Sequence, residues 1–124
     1  MGDDKERQKI LIVDDEEVNR AILGVIFRSD YDIVEAANGL EAIEQIKANG
    51  SFVLICLDVI MPVLDGFGVL EYMKENGLLE SMPVIMITSE TVRDSEDRAY
   101  AYGIADVVHK PFYPDIVKRR AGNV

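Results

Sequence analysis

The 124-residue chain has one cysteine, one histidine and no long apolar run. A single cysteine excludes a disulfide framework within the chain, and the position of Cys56 inside FVLICL predicts a buried, reduced thiol in a cytoplasmic protein. No run approaches the ~20 apolar residues that a membrane-spanning helix needs. No signal-peptide pattern precedes the first apolar segment. These absences argue against a disulfide-stabilised secreted protein and against a membrane-spanning one.

Basic residues are also scarce, with 13 lysines and arginines against 23 acidic residues, a formal net charge of −10 and a pI near 4.4. A negative field of this size disfavours direct binding to nucleic acid or to an anionic membrane surface. The length suits one domain with its own core. We predict a disordered polar tail over residues 1–8 and a single domain over residues 9–124.

Five short segments rich in β-branched residues predict strands. Each is continuously apolar rather than alternating, as expected for a parallel sheet covered on both faces. Strand and helix patterns alternate five times, which predicts an α/β fold of the doubly wound (βα)5 type. The predicted strands are KILIV (9–13), DIVEA (32–36), FVLICL (52–57), PVIMIT (83–88) and ADVVH (105–109).

Apolar residues between the strands recur with helical spacing and predict one buried face on each of the first three helices. The fourth helical segment, TVRDSEDRAYAYG (91–103), has almost no apolar stripe, so it is either a helix that opens at low cost or simply a solvated one. The last is short, and Pro114 suits its first turn. The predicted buried faces are Val18, Ala21, Ile22, Val25 and Ile26, then Leu40, Ile43 and Ile46, then Phe67, Leu70 and Met73.

Acidic residues stand where the predicted strands end. In an open parallel sheet, ligands bind beyond the carboxyl ends of the strands, where the strand order reverses. With the flavodoxin-like order 2-1-3-4-5, Asp14 and Asp15 after the first strand would meet Asp58 after the third. Two unit charges ~4 Å apart repel by roughly 4 kcal/mol at an effective dielectric near 20. Three carboxylates this close would therefore protonate or recruit a cation, and an all-oxygen site suits Mg²⁺.

The other strand ends supply groups for phosphoryl transfer. One metal-bound carboxylate can attack a phosphoryl group and form an acyl phosphate. Lys110, after the fifth strand, offers a positive charge, and the hydroxyl of Thr88, after the fourth, can donate to a phosphoryl oxygen. Charge neutralisation and positioning are what this chemistry requires.

The motifs LIVDDEE, LDVIMPVLDG, MITSE and HKPF resemble those of response-regulator receiver domains of two-component signalling, across roughly residues 8 to 120. The flavodoxin-like strand order draws on this resemblance. The resemblance implies that Asp58 accepts the phosphoryl group. It also implies that Asp14, Asp15, Asp58 and the backbone carbonyl of Ile60 hold Mg²⁺, or Mn²⁺. Thr88 would sense the phosphoryl group, and Lys110 would be its counter-ion.

The resemblance further implies a signalling module that catalyses its own phosphorylation and slow dephosphorylation. Its donor would be a histidine kinase or phosphotransfer protein. An output domain or downstream protein would bind the face of the fourth helix, fifth strand and fifth helix. The Lys110–Pro111 bond is expected to be cis, and Pro62 and Gly66 shape the loop after the acceptor. The oligomeric state stays open, as does whether the chain is free-standing or part of a longer protein.

Three positions depart from the family pattern or tune it. Val107 replaces the aromatic residue that many relatives place three residues before the lysine. Either the usual threonine–aromatic coupling is absent or rerouted through Tyr100, Tyr102 or Tyr113, or Val107 is only a strand residue. Ile60 and Glu90 occupy the positions that tune acyl-phosphate lifetime in relatives. Because an apolar Ile60 cannot orient a water molecule, we expect slow loss of the phosphoryl group.

Two other classes share the topology. A flavodoxin-like cofactor carrier needs a phosphate-binding loop after the first strand, but the sequence DDEE there would repel a phosphate. A pseudo-receiver that never takes phosphate is disfavoured by the complete set of acceptor, metal, threonine and lysine positions. His109, the single histidine, is predicted to be structural, because strand alternation points it away from Lys110.

Overall fold

The computed structural model describes residues 7–89 and 93–124, without the side chains of residues 93 and 94. Five parallel strands form one sheet in the order β2-β1-β3-β4-β5. The predicted fold class and strand order are therefore confirmed. The strands are β1 (Lys9–Val13), β2 (Asp32–Ala36), β3 (Leu54–Asp58), β4 (Val84–Thr88) and β5 (Asp106–His109).

Helices cover both faces of the sheet. One core lies against α2, α3 and α4 and receives Leu11 and Val13 of β1. The other lies against α1 and α5 and receives the alternate residues Ile10 and Ile12. This division explains why each strand is continuously apolar. The helices are α1 (Glu17–Phe27), α2 (Gly39–Asn49), α3 (Gly66–Glu75), α4 (Arg93–Ala101) and α5 (Pro114–Gly122).

Helix α1 buries a different face from the predicted one. Leu23 and Phe27 are buried, whereas Val18 and Val25 are 69% and 58% exposed. Two apolar stripes overlap on this helix. The stripe that contains Leu23 and Phe27 faces the sheet, and Arg20 on the same side donates to Glu35 of β2. The predicted stripe is thus wrong. Of its members, Val18, Ala21, Ile22 and Val25 are exposed and Ile26 is half-buried.

The other helices follow their patterns more closely. In α2, Ala42 and Ile46 are buried and Ile43 is half-buried, but Leu40 is exposed, contrary to prediction. Gly39 occupies the inner position instead, because a Cβ there would lie 2.4 Å from the Leu64 carbonyl oxygen. The predicted buried face of α3, Phe67, Leu70 and Met73, is confirmed. Pro114 is in the first turn of α5, as expected.

Helix α4 has little apolar contact with the rest of the domain. Among its described side chains, Ala99 alone is buried. The guanidinium of Arg98 stacks 4.0 Å from the centre of the Phe67 ring. Polar and cation–π contacts therefore hold much of this helix in place.

The predicted tail over residues 1–8 falls largely outside the described residues. Its last two residues are described and make hydrogen bonds. Arg7 donates to the Arg28 carbonyl, and the Gln8 carbonyl accepts from the Asp32 amide. Within the described ranges, no helix has the length and apolar character needed to span a bilayer.

Candidate functional site

Asp14, Asp15 and Asp58 meet at the carboxyl end of the sheet and form what we call the acidic cluster. The parallel pairing of β1 with β3 sets Val13 beside Leu57, so the residues that follow them are neighbours. One oxygen from each of the three carboxylates lies within 4.8 Å of the others. Asp14 and Asp58 are buried, and Asp15 is exposed.

Asp14 is anchored on several sides. Its amide donates to the Ala36 carbonyl at 3.1 Å, which extends the pairing of β1 with β2 by one residue. Its carboxylate Oδ1 accepts from the Glu16 amide at 2.9 Å. Its carbonyl accepts from Arg20 Nη1 at 2.7 Å. The first acid of the cluster therefore has a fixed backbone and a fixed side chain.

Lys110 joins the two buried acids of the cluster. Its Nζ lies 3.0 Å from Asp14 Oδ2 and 3.2 Å from Asp58 Oδ2. Its amide donates to the Thr88 carbonyl, which continues the pairing of β4 with β5, and the Lys110–Pro111 bond is cis, as expected. Burial lowers the pKa of the ammonium, but the two carboxylates outweigh it, so the net pKa is raised.

Asp58 differs electrostatically from an ordinary aspartate. Burial raises its pKa to about 6, an effect that Lys110 opposes and the neighbouring Asp14 reinforces. One ammonium is thus too little positive charge for this carboxyl, and a further cation would favour its ionised form.

The residues present fit a hard divalent cation. Three carboxylates and one ammonium leave two negative charges uncompensated when all are ionised. Among the described residues, Asp14 Oδ2 is buried without a hydrogen-bond partner, although it forms the ion pair with Lys110. Carboxylate oxygens at close quarters are the donors that Mg²⁺ takes. The acidic cluster can therefore hold such an ion.

The loop between β3 and α3 is tightly folded around the carboxyl end of β3. The Gly66 amide donates to the Val59 carbonyl at 2.8 Å, and a Cβ on Gly66 would lie 2.4 Å from the Asp58 carbonyl oxygen. Val63 has a φ of 71° and is the centre of a γ-turn, in which the Leu64 amide donates to the Pro62 carbonyl. The close approach explains why position 66 requires glycine.

Three of the remaining predicted positions, Ile60, Thr88 and Val107, lie in the described residues. Ile60 is 53% exposed, and Thr88 is buried one residue beyond the level of Asp58 in the sheet. Val107 is buried under α4 and lines, with Thr88 and Ala99, a cavity of about 10 Å³. Glu90 lies outside the described residues.

The single histidine and the candidate relay tyrosines lie away from the cluster. His109 Nε2 is 2.8 Å from Glu96 Oε2, a contact between the end of β5 and α4, and its structural role stays a prediction. The Tyr100 hydroxyl donates to Asp106, and the Tyr102 hydroxyl donates to Glu71 of α3. Tyr113 is 70% exposed.

Sequence reasoning missed Arg20 and Glu35. Arg20 Nε donates to Glu35 Oε1 at 2.8 Å while its Nη1 holds the Asp14 carbonyl. The sequence did offer one signal for Arg20, because it is an arginine on an otherwise apolar stretch of helix shortly after the Asp14–Asp15 pair. Its partner on β2 is 15 residues away and carries no local signature.

The acidic cluster and Lys110 lie together at the carboxyl edge of a doubly wound sheet, and this arrangement can be compared with known proteins. The family model of the response regulator receiver domain matches residues 10–121. The chain belongs to this family, the receiver domains of two-component signalling.

Relatives and solved structures agree with this assignment. The chemotaxis protein CheY1 of Helicobacter pylori is 31% identical over 114 residues, which are 90% of this chain and 92% of that protein. The structure of CheY4 from Vibrio cholerae has a TM-score of 0.86 at 28% identity, covering 95% of this chain and 98% of that one. CheY in the CheX-CheY-BeF₃-Mg²⁺ complex of Borrelia burgdorferi has a TM-score of 0.87 at 27% identity, covering 99% and 92%.

Proposed function

We propose that this receiver domain takes a phosphoryl group onto Asp58 from a histidine kinase or phosphotransfer protein, with Mg²⁺ (or Mn²⁺) at the acidic cluster. A carboxylate oxygen of Asp58 attacks phosphorus and forms the acyl phosphate. The bond from phosphorus to the donor nitrogen breaks, and the nitrogen keeps the electron pair. The domain is a signalling module, and we place it in the cytoplasm as a unit over residues 9–124.

The observation that carries this proposal is the bridge from Lys110 to the two buried carboxylates. The ammonium contacts Asp14 and Asp58 at the same oxygen-rich point where a cation fits. When bound, Mg²⁺ would neutralise charge on the cluster and on the transferred group. Asp14, Asp15 and Asp58, with the backbone carbonyl of Ile60, would hold it.

Lys110 and Thr88 then have distinct roles. Once Asp58 carries a phosphoryl group, the Lys110 ammonium can move from the carboxylates to a phosphoryl oxygen a short distance away. The Thr88 hydroxyl donates to a second oxygen. Both residues are joined through the hydrogen bond from the Lys110 amide to the Thr88 carbonyl, so β4 and β5 would respond together.

Helix α4 is the proposed reporter, and the face of α4, β5 and α5 the proposed output surface. The links within this face are polar: Arg120 pairs with Asp106 at 3.0 Å, and Tyr100 bonds to the same carboxylate. Exposed polar contacts exchange with water at little cost. Phosphorylation would favour one of two positions of α4, with Thr88 and Val107 beneath it as switch positions.

A protein donor is supported by the surface beside the cluster. A cleft of about 390 Å³ runs from Lys110 to α1 and includes Ile22 and Phe112 in its wall. Exposed apolar side chains Val18 and Val25 extend this surface along α1. Apolar surface next to a charged site fits a protein that brings its own phosphoryl group to Asp58.

Amide hydrogen exchange with a phosphoryl mimic tests the conformational part of the proposal. Beryllofluoride with Mg²⁺ should change the exchange rates of α4 amides in the wild type and leave them unchanged in Asp58→Ala. Val107→Ala should reduce the response if Val107 relays it. Equal exchange in α4 with and without the mimic would contradict the proposed switch.

A further inference from the structure

The environment of Arg20 suggests a function in the metal site that its sequence position does not reveal. Its side chain is 15% exposed, and its guanidinium contacts two elements. Nη1 donates to the Asp14 carbonyl at 2.7 Å, and Nε donates to Glu35 Oε1 at 2.8 Å. Glu35 is fixed in β2 opposite Ile12 of β1. Arg20 is therefore bound by Glu35 of β2 while it binds the backbone that follows β1.

The Asp14 carbonyl belongs to the peptide unit that links the two adjacent acids of the cluster. A peptide unit is planar, so fixing its oxygen also fixes the direction in which the chain enters Asp15. Asp15 is exposed and does not have the several anchors of Asp14, so its carboxylate depends on this peptide plane. The Asp14 side chain is held separately by the Glu16 amide.

We infer that Arg20, held by Glu35, is a positioning residue for the divalent-cation site, acting through the Asp14–Asp15 peptide. This inference rests on the proposed function and deepens it. Groups that orient ligands in this way typically contribute about tenfold to a hundredfold to metal affinity. Arg20 itself carries a positive charge and touches no proposed ligand atom.

The sign of the effect separates positioning from simple charge. If Arg20 acted only as a nearby positive charge, its removal would tighten Mg²⁺ binding. If it positions the peptide, Arg20→Met weakens Mg²⁺ binding about tenfold. Arg20→Lys keeps the charge but cannot reach both partners with a planar fork. Positioning therefore predicts weaker Mg²⁺ binding in this variant, whereas charge alone predicts no change in Mg²⁺ affinity.

The experiment is a calorimetric titration of chelator-treated protein with Mg²⁺, on the wild type, Arg20→Met and Arg20→Lys. Arg119→Met, at an exposed position of α5, is the matched control for loss of one positive charge. Urea unfolding checks that each variant folds. If Arg20→Met does not fold, the comparison of Arg20→Lys with the wild type tests the inference. In the folded variants, the NMR shift of the Glu16 or Asp15 amide should change without metal.

Weaker Mg²⁺ binding in both Arg20 variants, with Arg119→Met near the wild type, supports the inference. Equal or tighter binding in both overturns it and leaves the proposed function intact, provided that the wild type binds Mg²⁺ and takes a phosphoryl group. A wild type that binds no Mg²⁺ overturns the proposed function, and the inference with it.

Discussion

Lys110 Nζ lies 3.2 Å from Asp58 Oδ2, yet the carboxyl of Asp58 still has a raised pKa. Burial outweighs this ion pair, and the negative charge of Asp14, which contacts the same ammonium at 3.0 Å, raises the pKa further. The negative charge around Asp58 is thus only partly neutralised by Lys110. This imbalance has consequences for stability that can be measured.

The first prediction concerns Asp58 and pH without metal. A native pKa of about 6 against an ordinary 3.8 means that the folded state binds the proton more tightly than the unfolded state. The protonated Asp58 carboxyl therefore favours the folded state fully below pH 4, and this contribution to the free energy of unfolding is lost as pH rises toward 6. Asp58→Asn should gain stability relative to wild type over this range, by up to about 3 kcal/mol. Urea unfolding in EDTA at pH 4 to 7.5 measures it.

Saturating Mg²⁺ is the control for this prediction. Mg²⁺ binds the folded wild type and stabilises the ionised Asp58 carboxyl. It should therefore reduce the difference in unfolding free energy between Asp58→Asn and the wild type at pH 7. A difference in unfolding free energy that stays constant from pH 4 to 7.5 in EDTA would contradict the electrostatic account of Asp58.

The second prediction compares two glycines. Gly66→Ala places a Cβ 2.4 Å from the Asp58 carbonyl oxygen, so the acceptor strand or α3 must shift. We expect a loss of about 1–3 kcal/mol in the free energy of unfolding, with weaker Mg²⁺ binding. Gly24→Ala in α1 meets nothing within 4 Å and should gain up to about 1 kcal/mol from helix propensity. Similar stability changes in the two variants would refute this reading of the loop.

The third prediction concerns Val63, a β-branched residue at a φ of 71°. The left-handed region costs a residue with a Cβ about 1–2 kcal/mol, and glycine avoids that cost. Val63→Gly should therefore raise the free energy of unfolding by about 1 kcal/mol. Val63→Ala keeps a Cβ and is the matched control. The idea fails if thermal and urea unfolding rank the glycine variant at or below the alanine variant.

The fourth prediction concerns the lifetime of the acyl phosphate. Ile60 is half-exposed in the loop after Asp58 and has no polar group to orient a water molecule. Ile60→Asn should speed loss of the phosphoryl group about tenfold, equivalent to about 1.4 kcal/mol in activation free energy. Ile60→Leu should behave like the wild type. Decay measured after removal of the phosphoryl donor gives the rates, and equal rates for Asn and Leu would exclude a tuning role.

The ends of the strands could be predicted well from the sequence. Continuous β-branched runs indicate a parallel sheet. The carboxyl ends of parallel strands all lie at one edge of the sheet, whichever residues are on the surface. Asp14, Asp58 and Lys110 therefore converge as expected. Two helix starts also have a local chemical basis, because the side chains of Asn38 and Asp65 accept from amides of the first turn.

Features that depend on distant partners could not be predicted. The inner face of α1 is chosen by Leu23, Phe27 and the bond from Arg20 to β2, while a second apolar stripe of similar strength faces outward. Positive φ at Val63 has no signature, because valine disfavours it and the surrounding loop imposes it.

The most direct test of the central claim is the intact mass of the protein after incubation with acetyl phosphate, a small phosphoryl donor that needs no partner. The samples are wild type and Asp58→Ala, each with Mg²⁺ and with EDTA. Our account predicts a phosphoryl-sized gain only in wild type with Mg²⁺. A gain that persists in Asp58→Ala, or in EDTA, would contradict it, as would no gain in wild type with Mg²⁺.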